Sequence, residues 1–177
     1  DLLVREDVDH ICFTGSAEVG QKIRKVAAES WHKTTSCEMG SKSACIVFDD
    51  ADIDMAVDAA IASAFKLSGQ RCVSSGRIIV QRGVYDEFCK KFTDKASELE
   101  TGNPFNADGT VNTNMYCGPL VNKQGFEKVV KYNDMVMMDP QAKVIVTPVR
   151  MLMDDNVYCL TPMVYKTEWR GHEAPYL

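Results

Sequence analysis

Several familiar signatures are missing, and each absence removes a class of function. No apolar run approaches the roughly 20 residues needed to cross a bilayer, so no membrane partner is expected. Basic residues are not in excess: 20 Lys and Arg stand against 25 Asp and Glu, a formal charge of −5. That balance argues against a broad surface for nucleic acid or anionic lipid. There is no CxxC and no zinc-type spacing. The seven cysteines (12, 37, 45, 72, 89, 117, 159) and three histidines (His10, His32, His172) are scattered, and no metal site is expected. The complete G-x-G-x-x-G of a dinucleotide fold does not occur. No internal repeat, low-complexity tract, signal peptide or transit pattern is visible. The chain begins at Asp1 rather than Met and stops abruptly at Leu177, and is expected to be part of something longer.

What is present is an ordinary globular composition of 177 residues, 45% hydrophobic and 25% charged. It suits one domain, or one and a fraction. An odd number of cysteines in such a chain points to a reducing compartment, cytoplasmic or an organelle matrix, with mostly buried thiols and room for one reactive one. Periodicity and turn signals predict strands at 9–13, 34–38, 44–48, 76–81, 143–147 and 163–166. Helices are predicted over 18–30, 52–67, 84–100 and 122–136. The helix at 52–67 is apolar nearly all round, the pattern of a central helix packed on several sides. Residues 101–121 read as an exposed loop. Strands alternating with helices predict an α/β fold with a largely parallel sheet and flanking helices.

Three stretches could carry chemistry. In Phe13-Thr14-Gly15-Ser16-Ala17-Glu18-Val19-Gly20 a strand runs into a small-residue turn and then a helix. Free N–H groups at the helix start accept a phosphate, and Ser16 adds a hydroxyl. Gly15 permits the turn, and Gly20 lets the helix lie close to the sheet or to a ligand. The alternative is an ordinary strand-to-helix turn. In Glu38-Met39-Gly40-Ser41-Lys42-Ser43 a carboxylate beside a glycine turn is a candidate general base; a solvated glutamate or one paired with Lys42 is the alternative. In Gly69-Gln70-Arg71-Cys72 a thiol sits in a polar loop next to a cation, the setting that favours the nucleophilic thiolate. Cys12, Cys37, Cys45 and Cys89 lie in apolar strand or helix patterns and read as inert packing groups, with Cys117 and Cys159 undecided.

Taken in order, Phe-Thr-Gly-Ser-x-x-Val-Gly, Glu-x-Gly-x-Lys-Ser and Gly-Gln-Arg-Cys closely resemble the NAD(P)-dependent aldehyde dehydrogenase superfamily. Ile46-Val47-Phe48-Asp49-Asp50-Ala51-Asp52, Tyr85-Asp86-Glu87-Phe88 and Cys117-Gly118-Pro119-Leu120 fit the same pattern. The resemblance covers residues 8–166. It implies that 1–38 are the C-terminal part of a Rossmann-like dinucleotide-binding domain and 39–177 most of a catalytic domain. It implies NAD or NADP as cofactor, a small aldehyde as substrate, and a homo-oligomeric parent, dimer or tetramer.

By the same resemblance Cys72 is the nucleophile. A thiohemiacetal passes to a thioester, and Glu38 activates the water that hydrolyses it; the Cys72 backbone N–H is one oxyanion donor. Gly15, Ser16, Val19, Gly20 and Gly40 are implied to line the cofactor, with Ser16 at the pyrophosphate and Val19 beside the adenine. Family members that release the acyl group to coenzyme A usually lack this glutamate, so its presence favours a carboxylic acid product. Ser41 stands where the family usually has glycine, and 147–162 match only loosely. Much of the family's chain, including the asparagine of the oxyanion hole, has no counterpart here, so the isolated piece is expected to turn over poorly. The other readings are a non-catalytic binding or assembly fragment of the family, a coenzyme A-acylating relative, and a generic NAD-binding domain.

Overall fold

Parallel strand pairs bridged by helices make up the first 80 residues. The computed structural model describes residue 5, residues 7–152 and 157–171, and residues 174 and 176. Strand β1 (His10–Gly15), helix α1 (Ala17–Ala27) and strand β2 (Thr34–Met39) form one such unit. Strand β3 (Ser43–Val47), helix α2 (Ile53–Phe65) and strand β4 (Ser75–Val80) form another. Helices α3 (Tyr85–Ser97) and α4 (Lys123–Met138) follow, with short strands β5 (Lys143–Val146), β6 (Arg150–Leu152), β7 (Tyr158–Leu160) and β8 (Val164–Lys166). β1 with β2 and β3 with β4 are parallel; β5 with β8 and β6 with β7 are antiparallel. The α/β expectation with parallel sheet and flanking helices holds. The β6–β7 pair is additional to the predicted strands.

The chain forms two compact units, Asp1–Ser41 with Arg71–Val73, and Lys42–Gln70 with Ser74–Leu177. In the first, α1 covers one face of β1–β2. Ser16 caps the helix, its Oγ accepting from the Val19 amide at 3.3 Å. Glu18 in the first turn and Arg24 and Lys25 in the last complement the helix dipole. Ile11, Ile23 and Ala27 are the buried cluster, with Val8 and Phe13 against it. Gly20 is buried under Met39: a Cβ built there would lie 2.5 Å from the Met39 sulfur. Glycine thus lets α1 approach β2 closely without displacing the Met39 side chain. Lys33 is buried, and its ammonium donates to the carbonyls of Arg5 and Val8, which satisfies a charge that would otherwise be costly to desolvate.

The second unit has its core in Val47, Val57, Ala60, Ile61, Phe88, Phe92 and Ala96. Phe88 and Phe92 stack with centroids 5.7 Å apart, and Phe65 lies 6.1 Å from Phe92. Asp52 caps α2, accepting from the Met55 amide at 3.0 Å, and Asn122 caps α4 through Gly125 at 2.8 Å. Helix α2 buries one stripe only: Met55 is 69% exposed, so the all-round burial expected from its composition is not found. Its apolar content includes Ala59 at an exposed position, where alanine favours helix without needing a core. The Ile46–Ile79 pair likewise points away from the core, on the open face of β3–β4.

Residues 101–121 hold neither helix nor strand, as expected, but they are not simply exposed. Thr101 bridges to Cys117, Phe105 bridges to Val111, and Cys117 is buried. Near the C-terminus, Asp139 accepts from both the Arg170 guanidinium and the Tyr176 hydroxyl. These two donors, the hydroxyl foremost, hold the Asp139 carboxyl down to about 2. Among the described residues no helix is long and apolar enough to cross a membrane.

Candidate active site

The carboxyl ends of parallel strands are where open α/β sheets present ligand-binding loops. In the first unit, β1 ends at Gly15 and β2 at Met39, paired with each other, and Glu38 lies opposite Thr14. Strand alternation divides the two faces. Ile11, Phe13, Thr35, Cys37 and Met39 turn toward α1; His10, Cys12, Thr14, Thr34, Ser36 and Glu38 turn outward. Glu38 is thus an exposed carboxylate at the C-terminal end of its strand. Cys12 is exposed on the same open face, opposite Ser36. This corrects its reading as a packing thiol: the alternation that buries Ile11 and half-buries Phe13 necessarily turns Cys12 out. Cys37, Cys45 and Cys89 are half-buried.

The loop carrying Cys72 lies between α2 and β4 in sequence, yet Arg71–Val73 pack with the first unit. The Ser41 hydroxyl donates to the Cys72 carbonyl at 3.4 Å. The serine that replaces the expected glycine therefore ties the loop to the segment just after Glu38. Cys72 is exposed, whereas Cys117 and Cys159 are buried, and burial pushes both of their thiols up. Those two sulfurs are held in the protonated, unreactive form.

Gly15, Ser16, Val19, Gly20, Glu38, Gly40 and Cys72 all belong to this first unit. Val19 is 41% exposed, which leaves an apolar side chain available beside the turn. The Ser16 oxygen accepts from Val19, and among the described residues its own proton remains to be donated. A Cβ at Gly40 would meet nothing within 4 Å, so no local packing demands glycine there. An exposed helix start, a hydroxyl and open backbone fit a pyrophosphate-bearing ligand. Gly20 serves the packing of α1 rather than an open surface. Lys42 takes a different partner from Glu38: its ammonium donates to the Tyr176 carbonyl at 3.2 Å. Burial, then the charges of Arg77 and Lys128, pull its proton affinity down.

The backbone leading to Cys72 has a feature that residue types alone did not signal. Leu67 and Ser68 both adopt φ of 55°, followed by Gly69 at 70°. A left-handed non-glycine residue costs about 1–2 kcal/mol, so two in a row need compensation. The Ser68 hydroxyl donates to the Gly118 carbonyl at 2.7 Å, and the Gln70 side-chain amide bonds Leu67, Pro119 and Val121. Two clefts in the second unit, of about 410 and 370 Å³, lie along α4 and beside α3 with β5 and β8, and none of the candidate residues lines them. Among the described residues no cluster of His, Cys, Asp or Glu is arranged to hold a metal ion.

Comparison with known proteins assigns the chain to a family. The model of the aldehyde dehydrogenase family matches residues 1–168. A protein named aldehyde dehydrogenase family 2 member C4, from Arabidopsis thaliana, is 44% identical over 126 residues, 71% of this chain and 24% of its own length. A probable NADP(+) succinate-semialdehyde dehydrogenase from Sinorhizobium fredii is 43% identical over 129 residues, 73% of this chain and 25% of its own. The crystal structure of betaine aldehyde dehydrogenase from Staphylococcus aureus with NAD+ superposes with a TM-score of 0.80 at 30% identity. It covers 93% of this chain and 31% of that one. The matched region spans about a quarter of the length of these two relatives. By fold, by motif and by sequence, the chain belongs to the aldehyde dehydrogenase family.

Proposed function

We propose that this chain carries the nucleophile and the base of an enzyme that oxidises aldehydes to carboxylic acids with NAD(P)+. Residues 1–38 are read as the end of its dinucleotide-binding domain and 39–177 as most of its catalytic domain. The observation that supports this most strongly is the gathering of Glu38, the β1–α1 turn and the exposed Cys72 loop in one compact unit.

The Cys72 sulfur attacks the aldehyde carbonyl, forming a thiohemiacetal, and its backbone N–H donates to the developing oxyanion. Ser16, Val19, Gly15 and Gly40 hold the dinucleotide, Ser16 by its hydroxyl proton and Val19 by apolar contact. When bound, that group supplies a hydride acceptor. Glu38 takes a proton from the water that releases the acyl group from sulfur. An exposed carboxylate at the strand end suits hydrolysis and sets this reading above transfer to coenzyme A. Seven free thiols fit a reducing compartment, and a homo-oligomeric parent is part of the same reading.

The test is a full-length relative in which this segment replaces its counterpart. Aldehyde-dependent NAD(P)H formation is expected to vanish with Cys72→Ala and to fall about 10²-fold or more with Glu38→Gln, in keeping with the size of general-base contributions. Undiminished turnover in the Cys72→Ala chimera would overturn the assignment. The isolated chain is expected to turn over poorly with a panel of aldehydes; robust absorbance growth would show that the missing segments are dispensable.

A further inference from the structure

The Gln70 side chain is bonded at both ends. Its Nε2 donates to the Leu67 carbonyl at 3.1 Å and the Pro119 carbonyl at 3.3 Å, and its Oε1 accepts from the Val121 amide at 2.9 Å. One neutral amide thus uses both donors and an acceptor on three backbone groups, a set that neither glutamate nor methionine can reproduce. Two of those groups lie in 118–121, the segment that also receives the Ser68 hydroxyl at Gly118. The third is the carbonyl of Leu67, the first of three successive left-handed residues. A Cβ at Gly69 would stand 3.0 Å from the Ala64 carbonyl oxygen, so the run has little freedom on that side. Leu67 itself is 67% exposed, and packing of its side chain does not account for its conformation.

We propose that Gln70 is a positioning residue, whose amide clamps the strained run 67–69 against 118–121 and so fixes the stretch of backbone that leads, two residues later, to Cys72. The catalytic meaning rests on the reading of Cys72 as nucleophile. The clamp itself does not, and its test reads no turnover. Strained, over-determined backbone beside a reacting group is a recurrent way of fixing geometry. Here the fixing is done by a side chain that need never touch substrate.

The experiment is hydrogen exchange on the whole chain, followed by peptide mass. Gln70→Met keeps the length of the side chain and removes all three bonds. Exchange in the peptide spanning 66–74 is expected to rise at least tenfold, with α2 and β4 amides moving less than twofold. In a Leu67→Gly background, where the left-handed backbone carries no Cβ penalty, the same Gln70→Met change is expected to raise exchange threefold or less. The rate of iodoacetamide labelling at Cys72, relative to Cys89 in the same molecule, is expected to shift at least threefold in Gln70→Met and to return toward the wild-type ratio in the double variant. Unchanged exchange at 66–74, an increase spread evenly through α2 and β4, or the same increase with and without Leu67→Gly would each overturn the proposal. Loss of activity in Cys72→Ala with no exchange effect in Gln70→Met would leave the nucleophile assignment standing and remove the clamp.

Discussion

The oxygen of Ser16 sits 3.3 Å from the amide of Val19, capping the helix whose start is read as the pyrophosphate site. The same hydroxyl thus has a folding role and a proposed binding role, and one substitution separates them. Aspartate caps as well as serine does but brings a negative charge to a phosphate. Ser16→Asp is expected to keep the melting temperature within about 2 °C, since a change of a few tenths of a kcal/mol moves it no further. It is expected to abolish dinucleotide binding measured by calorimetric titration. Retained binding would remove Ser16 from the cofactor site.

Gly20→Ala places a methyl 2.5 Å from the Met39 sulfur. Overpacking costs about 1–3 kcal/mol, while alanine gains about 1 kcal/mol of helix propensity over glycine. A net loss of about 1 kcal/mol in urea denaturation is expected. Adding Met39→Ala, which removes the obstructing sulfur, is expected to make the glycine substitution neutral or stabilising in that background.

Phe92 joins Phe88 and Phe65 in the second unit's core, and truncation to alanine is expected to cost about 3–5 kcal/mol. Phe105 is 56% exposed, and Phe105→Ala is expected to cost under about 0.5 kcal/mol. Urea midpoints at constant slope measure both. Comparable losses at the two positions would contradict the burial described here.

Asp139, held at about 2 by Tyr176 and then Arg170, has a folded-state proton affinity below its unfolded value. Its contribution is therefore present in full above about pH 4, the unfolded carboxylate range, and is lost as the pH falls toward 2. The gap in melting temperature between wild type and Asp139→Asn is expected to be constant from pH 5 to 7 and to close between pH 4 and 2. A gap that closes already at pH 5 would mean that the two donors do not hold the carboxylate.

Much of this was legible in residue order. The four helices begin within one residue of their expected starts and end within about three of their expected ends, because each has an apolar stripe at helical spacing and three carry a side-chain cap. The β6–β7 pair is not legible in the sequence: three residues per strand are too few to show a period of two, and the equally short β8 falls within a four-residue expectation at 163–166. Cys12 reads as a packing thiol from its apolar neighbours alone, because a strand does not reveal which face is covered until α1 is in place. The left-handed conformation of Leu67 and Ser68 had no local sign, since glycine and asparagine are the usual markers. It is imposed by partners about 50 residues further along the chain. The order of the turn, glutamate and cysteine motifs was readable; that Arg71–Val73 join the first unit is a property of the folded chain.

The contrast among the sulfurs has a practical consequence. Cys117 and Cys159 are sealed while Cys72 and Cys12 face solvent, so the molecule carries its own stopwatch. A brief alkylating pulse marks the outer thiols at once, and the two inner ones accept label only as fast as the fold opens around them. Following the label at Cys117 and Cys159 by peptide mass, apart from the half-buried Cys37, Cys45 and Cys89, would thus report opening of the second unit.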